Sequence, residues 1–421
     1  MADKVLLIGL ALPDVSRTVA EEHLEELAKL VESAGGEVVH RVIAKRQAPD
    51  PATYIGSGKA EEIKQLVVDL GAQLVVFDDD LSPAQARNVE KLIEKARVID
   101  RSGLILDIFA GRARSREART QVELAQLEYM LPRLTRAWTH LERQGGGAGG
   151  GAKRGVGETQ LELDRRIVRT RIAKLKDELK HVEKTRETQR KQREATYIVS
   201  LVGYTNAGKS TLFNRLTTGG AESVDKLFAT LDARTHKAAF DAPRETVIID
   251  TVGFIRKLPH HLVASFRSTM EEAVAADLVL HVIDASHPQY SEQRAIGDQV
   301  LADLGVAAEN VLEVYNKADR IDDPHFRAPK RGAIVSALTG DGIEQLIETI
   351  RERERAGGEL MHIDLPHAEA RLAARLHEVA EVYEQKNTDE GVSFTAWVPH
   401  DAVHLFKPFA RSEWVRATKA G

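Results

Sequence analysis

Two short polar segments hold the residues of this sequence that could do chemistry. Gly203–Ser210 has the sequence GYTNAGKS and fits the phosphate-binding pattern G-x-x-x-x-G-K followed by Ser or Thr. Asn316–Asp319 has the sequence NKAD, and the carboxylate of Asp319 can accept two hydrogen bonds from guanine. Adenine lacks these two donors, so a buried Asp would be left unpaired against it. In this order, the two segments predict a chain that binds GTP or GDP.

The first segment has a predicted role along its whole length. Gly203 and Gly208 let successive backbone N–H groups point at one phosphate chain, and Lys209 adds charge at the β and γ phosphates. Ser210 places a hydroxyl on Mg²⁺, and the helix N-terminus that follows favours negative charge. The nucleotide contacts predicted here are Gly203, Tyr204, Thr205, Asn206, Ala207, Gly208, Lys209, Ser210 and Thr211.

We expect two further segments to contact the Mg²⁺ ion and the γ-phosphate. Asp250 ends an apolar run, the usual place of a second Mg²⁺ anchor, and Gly253 can bring a backbone N–H to the γ-phosphate. In the FATLD segment 228–232, Thr230 is the preferred Mg²⁺ ligand. Thr235, three residues beyond this segment, is the second choice. The predicted metal ligands are therefore Ser210, Thr230 and Asp250. The predicted catalytic residues are Lys209, Thr230 and Gly253.

The remaining nucleotide contacts are predicted from the order of the segments. Phe228 precedes the threonine loop, and Asn316, Lys317 and Asp319 form the guanine motif. Ser336, Ala337 and Leu338 end the next strand and can supply a backbone N–H to the guanine carbonyl.

Phe254 follows Gly253, where many GTPases have a Gln that orients the attacking water. Because Phe254 cannot hydrogen-bond a water, we expect slow hydrolysis unless another group completes the site. His260 and His261 are possible bases, but they fit better as the start of the next helix.

Composition restricts the class of protein. A chain of 421 residues predicts two to four domains, and 43% hydrophobic with 29% charged residues is typical of a globular protein. Cys is absent, which excludes disulfides and thiolate metal sites and fits a reducing, cytoplasmic compartment. No apolar stretch is long enough to span a bilayer. Residues 164–193 hold 12 Lys/Arg against 5 Asp/Glu although the net charge is -5, which indicates a local polyanion-binding surface.

The patterns predict an α/β fold in four parts. Residues 1–112 alternate strands and helices and form a small, mainly parallel α/β domain. Residues 113–195 hold two heptad-like seams, at Leu124–Leu141 and Val168–Val182, joined by a glycine-rich tip, and predict a long antiparallel helical hairpin that Pro132 interrupts. Residues 196–356 predict a doubly wound, mostly parallel GTPase domain with one of its helices at 261–275, and 357–421 predict a small α/β appendage with a helix from Ala368 to Gln385.

The chain resembles the HflX family of the Obg–HflX group of P-loop GTPases. The resemblance includes GVGETQLELDRR at 155–166, FATLD at 228–232 and DTVGFI at 250–255, and it covers most of the chain. Val156 and Ala233 depart from the family pattern, but neither is a predicted ligand contact. An apolar residue in the place of Phe254 is a trait of the wider group.

The resemblance implies GTP hydrolysis that the large ribosomal subunit stimulates, with splitting or rescue of ribosomes under stress. It implies contact with rRNA by the helical arm, and we expect a monomer without a membrane span. Tyr129 and Trp138 could stack on bases, although core packing suits Trp138 better. The alternative is a nucleotide-gated rRNA-binding factor whose hydrolysis only resets binding. A phosphotransferase is disfavoured because no acceptor base is evident.

A segment near residue 56 resembles half of a second phosphate loop. Gly56–Lys59 has the sequence GSGK, but Thr53 stands where the first glycine would be needed. We interpret it as a turn that opens a helix, with a weak second nucleotide site as the alternative.

Overall fold

The computed structural model describes residues 2–13, 15–134, 160–191, 196–218, 227–228, 231, 233–240, 245–257, 275–321, 326, 328, 332–400 and 402–411. The chain divides into two compact units. The first comprises Met1–Glu183, Asp225–Asp232 and Ile255–Ser268. The second comprises Lys184–Val224, Ala233–Phe254 and Thr269–Gly421. Two segments that follow Ser210 and Gly253 in the sequence therefore cluster with the N-terminal residues.

Four parallel strands form the sheet of the first unit, in the order β2-β1-β3-β4. They are β1 (Lys4–Ala11), β2 (Glu37–Lys45), β3 (Leu74–Phe77) and β4 (Arg97–Asp100). The helices between them are α1 (Arg17–Ser33), α2 (Ser57–Leu70) and α3 (Pro83–Ile93). The two inner strands are almost continuously apolar because helices cover both faces of a parallel sheet. The predicted α/β rhythm is confirmed.

Local signals set where these helices begin. The Ser16 hydroxyl accepts the Val19 N–H and caps α1. Ser82 caps α3 and forms a capping box with Gln85 around Pro83. A further helix, α4 (Arg101–Arg112), was not predicted. It is buried on most sides, so its sequence lacks the amphipathic period by which a surface helix is recognised.

Two helices follow in the predicted arm. α5 (Arg116–Met130) ends in a 3-10 turn, Leu131–Arg133, so the predicted interruption at Pro132 is confirmed. α6 (Gln160–Lys191) contacts α5 through two ion pairs, Arg171 with Glu123 at 2.7 Å and Lys176 with Glu128 at 2.7 Å. The glycine-rich tip, Trp138 and Leu141 lie outside the described residues, and the antiparallel hairpin remains a prediction.

A six-stranded sheet forms the core of the second unit, in the order β10-β9-β8-β5-β7-β6. Its strands are β5 (Thr196–Gly203), β6 (Arg234–Lys237), β7 (Glu245–Asp250), β8 (Leu278–Asp284), β9 (Val311–Asn316) and β10 (Ala333–Ile334). Its described helices are α7 (Lys209–Leu216), α8 (Tyr290–Asp303) and α9 (Ile343–Ala356). All pairs are parallel except that of β6 with β7, so the doubly wound fold is confirmed. The helix predicted at 261–275 lies outside the described residues, apart from its last residue.

The C-terminal part corrects one prediction. We expected a helix from Ala368 to Gln385, but α10 (Ala370–Val379) ends at Val379, and β12 (Glu381–Asn387) follows. β12 pairs with β13 (Gly391–Pro399), which also pairs with β11 (Gly358–Pro366). This pairing satisfies the backbone groups of β12 and outweighs a helical pattern that continues across Ala380. A short helix, α11 (Val403–Phe406), and 3-10 turns complete this part.

None of the described helices is both long enough and apolar enough to cross a lipid bilayer.

A buried ion cluster ties residues 255–257 into the first unit. Asp78, at the end of β3, accepts Arg101 Nη1 at 2.8 Å, Lys257 Nζ at 3.0 Å and Arg256 Nη2 at 3.3 Å. Arg101 also donates to Glu26 and, through Nε, to the Arg256 carbonyl. Burial alone would raise the pKa of Asp78, but Arg101, Lys257 and Arg256 hold it below its usual value. Asp78 therefore neutralises several cations in a place with little water.

We predict that Asp78→Ala destabilises the protein strongly, because it removes the buried carboxylate that Arg101, Arg256 and Lys257 share. The expected loss in free energy of unfolding is about 3–5 kcal/mol. Glu25→Ala is the matched control, since Glu25 pairs with Arg41 on the surface and such pairs contribute about 0–1 kcal/mol. Denaturant unfolding of both variants measures the difference. Equal losses in the two variants would contradict this account of the cluster.

Candidate nucleotide-binding site

The candidate site is built where four strands of the second unit end. β5 ends at Gly203, β7 at Asp250, β8 at Asp284 and β9 at Asn316. Because these strands are parallel neighbours, their carboxyl ends meet at one edge of the sheet. The predicted phosphate, metal and guanine segments, which are far apart in the sequence, therefore converge.

The phosphate loop needs glycine at both of its predicted glycine positions. Gly203 has φ +144° and Gly208 φ +92°, which other residues rarely adopt. A Cβ on Gly203 would collide with the carbonyl oxygen of Val282, and one on Gly208 would collide with the side-chain amide of Asn316. The loop thus follows its path because the backbone passes close to β8 on one side and to the guanine motif on the other.

Lys209 lies buried beneath this loop. Its Nζ donates to the carbonyl oxygens of Gly203 at 3.1 Å and Tyr204 at 2.9 Å. Burial lowers the pKa of Lys209 to about 8, and only Asp250 opposes this shift. The ammonium group is therefore held by neutral carbonyls in a place where an added phosphate would favour its charged form.

Two of the three predicted metal ligands are brought together. The Ser210 hydroxyl donates to Asp250 Oδ2 at 2.8 Å, and Asp250 is fully buried. A hydroxyl beside a carboxylate is an oxygen donor set that suits Mg²⁺, so the residues present fit this ion. The third predicted ligand, Thr230, lies outside the described residues, and Thr235 lies in the edge strand β6.

Gly253 and Phe254 pack directly against the phosphate loop. A Cβ on Gly253 would lie 2.9 Å from the Thr205 Cα and 2.8 Å from Lys209 Nζ, which leaves room only for glycine. Phe254 donates its N–H to the Gly203 carbonyl at 2.8 Å and accepts the Thr205 N–H at 2.7 Å. The Phe254 side chain is buried, so it supplies an apolar contact at the point where a Gln would orient water.

The guanine segments are joined through Asn316. Its side-chain Nδ2 donates to the Ala207 carbonyl at 2.8 Å, and its Oδ1 accepts the Ala337 N–H at 2.9 Å. The Ser336 hydroxyl donates to Asp319 Oδ1 at 2.5 Å, which orients the carboxylate predicted to bind guanine. Phosphate loop, guanine motif and the 336–338 loop therefore form one hydrogen-bonded assembly.

Asp284 belongs to this assembly and was missed from the sequence. It accepts Lys317 Nζ at 2.7 Å and the Ser286 hydroxyl at 2.6 Å. Asp284 ends an apolar strand, as Asp250 does, and this shared pattern could have identified it. It fixes the side chain of Lys317 within the guanine motif.

Other residues that the sequence singled out lie in the first unit. Phe228 is buried and contacts the edge of the Phe109 ring, with ring centres 4.7 Å apart. This placement indicates packing, and its contact with a nucleotide remains a prediction. Tyr129 donates to Asp100 at 2.8 Å beneath the guanidinium of Arg133, so it is anchored within the protein and base stacking by Tyr129 is not supported. Trp138, His260 and His261 lie outside the described residues.

Gly56–Lys59 opens a helix as expected, but it is not a separate turn, because α2 already begins at Ser57. Gly56 has φ +87° and precedes α2, and Lys59 pairs with Glu62 at 2.7 Å.

Models of three known families match successive parts of the chain. The model for the GTP-binding GTPase N-terminal region matches residues 21–110, and the model for the GTP-binding GTPase middle region matches residues 112–193. The model described as 50S ribosome-binding GTPase matches residues 198–317. With the phosphate loop and the Asn316 segment at one sheet edge, these matches define the class of protein as a P-loop GTPase.

Curated relatives narrow the class to a family. GTPase HflX of Magnetococcus marinus is 44% identical and aligns over 94% of this chain and 92% of its own length. GTPase HflX of Escherichia coli is 47% identical over 88% of each chain. The chain therefore belongs to the GTPase HflX family. A crystal structure of SsGBP with GDP is 26% identical, with a TM-score of 0.48 over 84% of this chain and 99% of that chain.

We predict a one-sided pH dependence of nucleotide binding from Lys209. Because burial lowers its pKa to about 8 and phosphate favours the charged form, GDP affinity should be constant at lower pH and fall above that value. The expected fall approaches about tenfold per pH unit, as for the loss of one proton. Equilibrium titration with GDP between about pH 7 and 9 measures it. The Lys209→Ala variant should bind GDP weakly at every pH, without a fall in affinity as pH rises. A wild-type GDP affinity that stays constant across this pH range would contradict the assignment of Lys209 as a phosphate contact.

Proposed function

We propose that this chain binds GTP with Mg²⁺ and hydrolyses it to GDP and phosphate. The observation that supports this most strongly is the assembly around Asn316, which joins the phosphate loop to the guanine segments. The phosphate loop and the NKAD segment are each a short motif when taken alone. Together they match the two ends of one guanine nucleotide.

In this proposal the phosphate loop binds the phosphates through its N–H groups and Lys209. Ser210 and Asp250 would hold Mg²⁺, with Thr230 as the third ligand, and the ion would supply positive charge for the phosphates. Gly253 gives its N–H to the γ-phosphate, while Asp319 accepts from guanine. Asp284 positions Lys317 in the same motif, as their contact at 2.7 Å supports.

Hydrolysis by the isolated protein should be slow. Phe254 is buried against the phosphate loop and has no polar group with which to orient a water. Among the described residues, the site has groups that suit nucleotide binding, whereas Phe254 cannot activate water, so another group must do so.

We propose that the large ribosomal subunit is the partner that stimulates hydrolysis. The matching family model is described as a 50S ribosome-binding GTPase. Exposed cations of α6, among them Arg169, Lys174 and Lys180, suit the phosphates of rRNA. We further propose that the protein acts as a monomer in the cytoplasm and splits or rescues stalled ribosomes under stress.

An alternative is a nucleotide-gated rRNA-binding factor in which hydrolysis only resets binding. The basic character of α6 favours rRNA binding in both cases. Subunit separation in the presence of a non-hydrolysable GTP analogue distinguishes them. Separation at the wild-type extent with the analogue supports the gated factor, and loss of separation supports coupling to hydrolysis.

GTP turnover with and without purified large ribosomal subunits tests the proposed function. We expect a low basal rate that rises by at least about tenfold with the subunits, because Phe254 leaves the site incomplete. Lys209→Ala is the control and should show no turnover in either condition. A wild-type rate that is equal in both conditions would contradict the proposal.

A further inference from the structure

Arg215 holds the loop that we expect to contact guanine. Its Nε donates to the Ala337 carbonyl at 3.0 Å, and its Nη2 donates to the Leu338 carbonyl at 2.5 Å. These partners lie 122 and 123 positions away in the chain, so the contact joins remote segments of the second unit. One guanidinium group therefore holds two successive peptide groups.

The position of Arg215 is set by the helix that starts in the phosphate loop. α7 begins at Lys209 and Ser210, and Arg215 lies in its last turn. Arg215 lies six positions after Lys209, which is about 9 Å along the helix axis. The same rigid element thus holds predicted phosphate contacts at its start and the guanine loop at its end.

The loop is buried at Ala337, but at Leu338 it depends on hydrogen bonds more than on packing. Leu338 is 63% exposed, so its side chain cannot anchor it. Ser336 closes the turn, because its N–H donates to the Asp341 carbonyl and its own carbonyl accepts the Gly340 N–H, both at 2.8 Å. These bonds close the base of the turn but leave the peptide groups at its tip to be oriented by other contacts.

Because a peptide group is planar, a contact that holds the Ala337 carbonyl also fixes the direction of the Leu338 N–H. The carbonyl of Ala337 and the N–H of Leu338 belong to one planar trans peptide and point in opposite directions. By holding this carbonyl, Arg215 fixes the direction of the Leu338 N–H on the other side. The Ala337 N–H already donates to Asn316, which leaves the Leu338 N–H as the donor that Arg215 orients.

We propose that Arg215 is a positioning residue for guanine specificity. It acts through the Ala337–Leu338 peptide, whose N–H donates to the 6-oxo group of a guanine nucleotide. This inference rests on the proposed function, because it requires a guanine nucleotide at this site. It assigns recognition of the 6-oxo group to Arg215 and the loop, whereas Asp319 recognises N1–H and the 2-amino group.

The test is Arg215→Ala, with binding of GDP, IDP and ADP measured by equilibrium titration and turnover measured at saturating GTP. GDP and IDP both have the 6-oxo group, so both should lose about tenfold in affinity. ADP lacks this group and should bind as it does to the wild type. The kcat should stay within about twofold of the wild-type value, because Arg215 does not contact the phosphates.

Two further variants complete the design. Arg353→Ala is the matched control, because Arg353 also donates to a distant carbonyl, that of Glu309, at 2.6 Å. It should leave every affinity unchanged. Arg215→Lys keeps one donor nitrogen in place of the two that bind the loop, so it should recover part of the GDP affinity. It provides the same comparison if Arg215→Ala does not fold.

Each outcome has a defined meaning. Wild-type GDP affinity in Arg215→Ala, or equal losses for GDP and ADP, would overturn this inference while leaving the proposed function intact. A wild-type protein without preference for GDP over ADP would overturn the proposed function itself. A loss confined to GDP and IDP, partly recovered by lysine, supports the positioning role.

Discussion

The side chain of Asn316 is the contact on which the nucleotide site depends. It donates to the phosphate loop at Ala207 and accepts from the 336–338 loop at Ala337, and it is almost fully buried. Each of these bonds satisfies a backbone group that has little access to water, and leaving one unmade would cost about 1–3 kcal/mol. The close approach of Asn316 also explains why Gly208 must lack a side chain. One amide thus joins the phosphate loop to the 336–338 loop that we expect to contact guanine.

The segments of the GTPase sequence do not all belong to the same compact unit. Phe254 belongs to the second unit and pairs with the phosphate loop, whereas residues 255–257 belong to the first unit and join the Asp78 cluster. The chain therefore leaves the second unit after Phe254 and joins the ion cluster of the first unit at Arg256 and Lys257. Residues 227 and 228 also belong to the first unit, where Phe228 packs on Phe109.

Much of the site could be predicted because its residues occupy regular places in the fold. Gly203, Asp250 and Asn316 each end an apolar strand, and parallel strands bring such ends together. The start of α3 could be predicted because Ser82 precedes Pro83, a usual pattern for the beginning of a helix. Asp284 also ends an apolar parallel strand, as Asp250 does, so it could have been identified from the sequence as a site residue.

Other features could not be predicted, for physical reasons. The Asp78 cluster and the Arg215 contact join residues more than a hundred positions apart, and neither has a local pattern. α4 was missed because a helix buried on most sides has no amphipathic period. β12 was taken for helix because only pairing with β13 makes Glu381–Asn387 a strand.

The most direct test of this account is the binding preference of Asp319→Asn for GDP and xanthosine diphosphate. Xanthine has a carbonyl where guanine has its 2-amino group, so an Asn amide can donate to it, whereas the wild-type carboxylate accepts from guanine. The account predicts that the wild type prefers GDP and that Asp319→Asn prefers xanthosine diphosphate. A variant that still binds GDP with wild-type affinity would contradict the placement of guanine at Asp319 and, with it, the site described around Asn316.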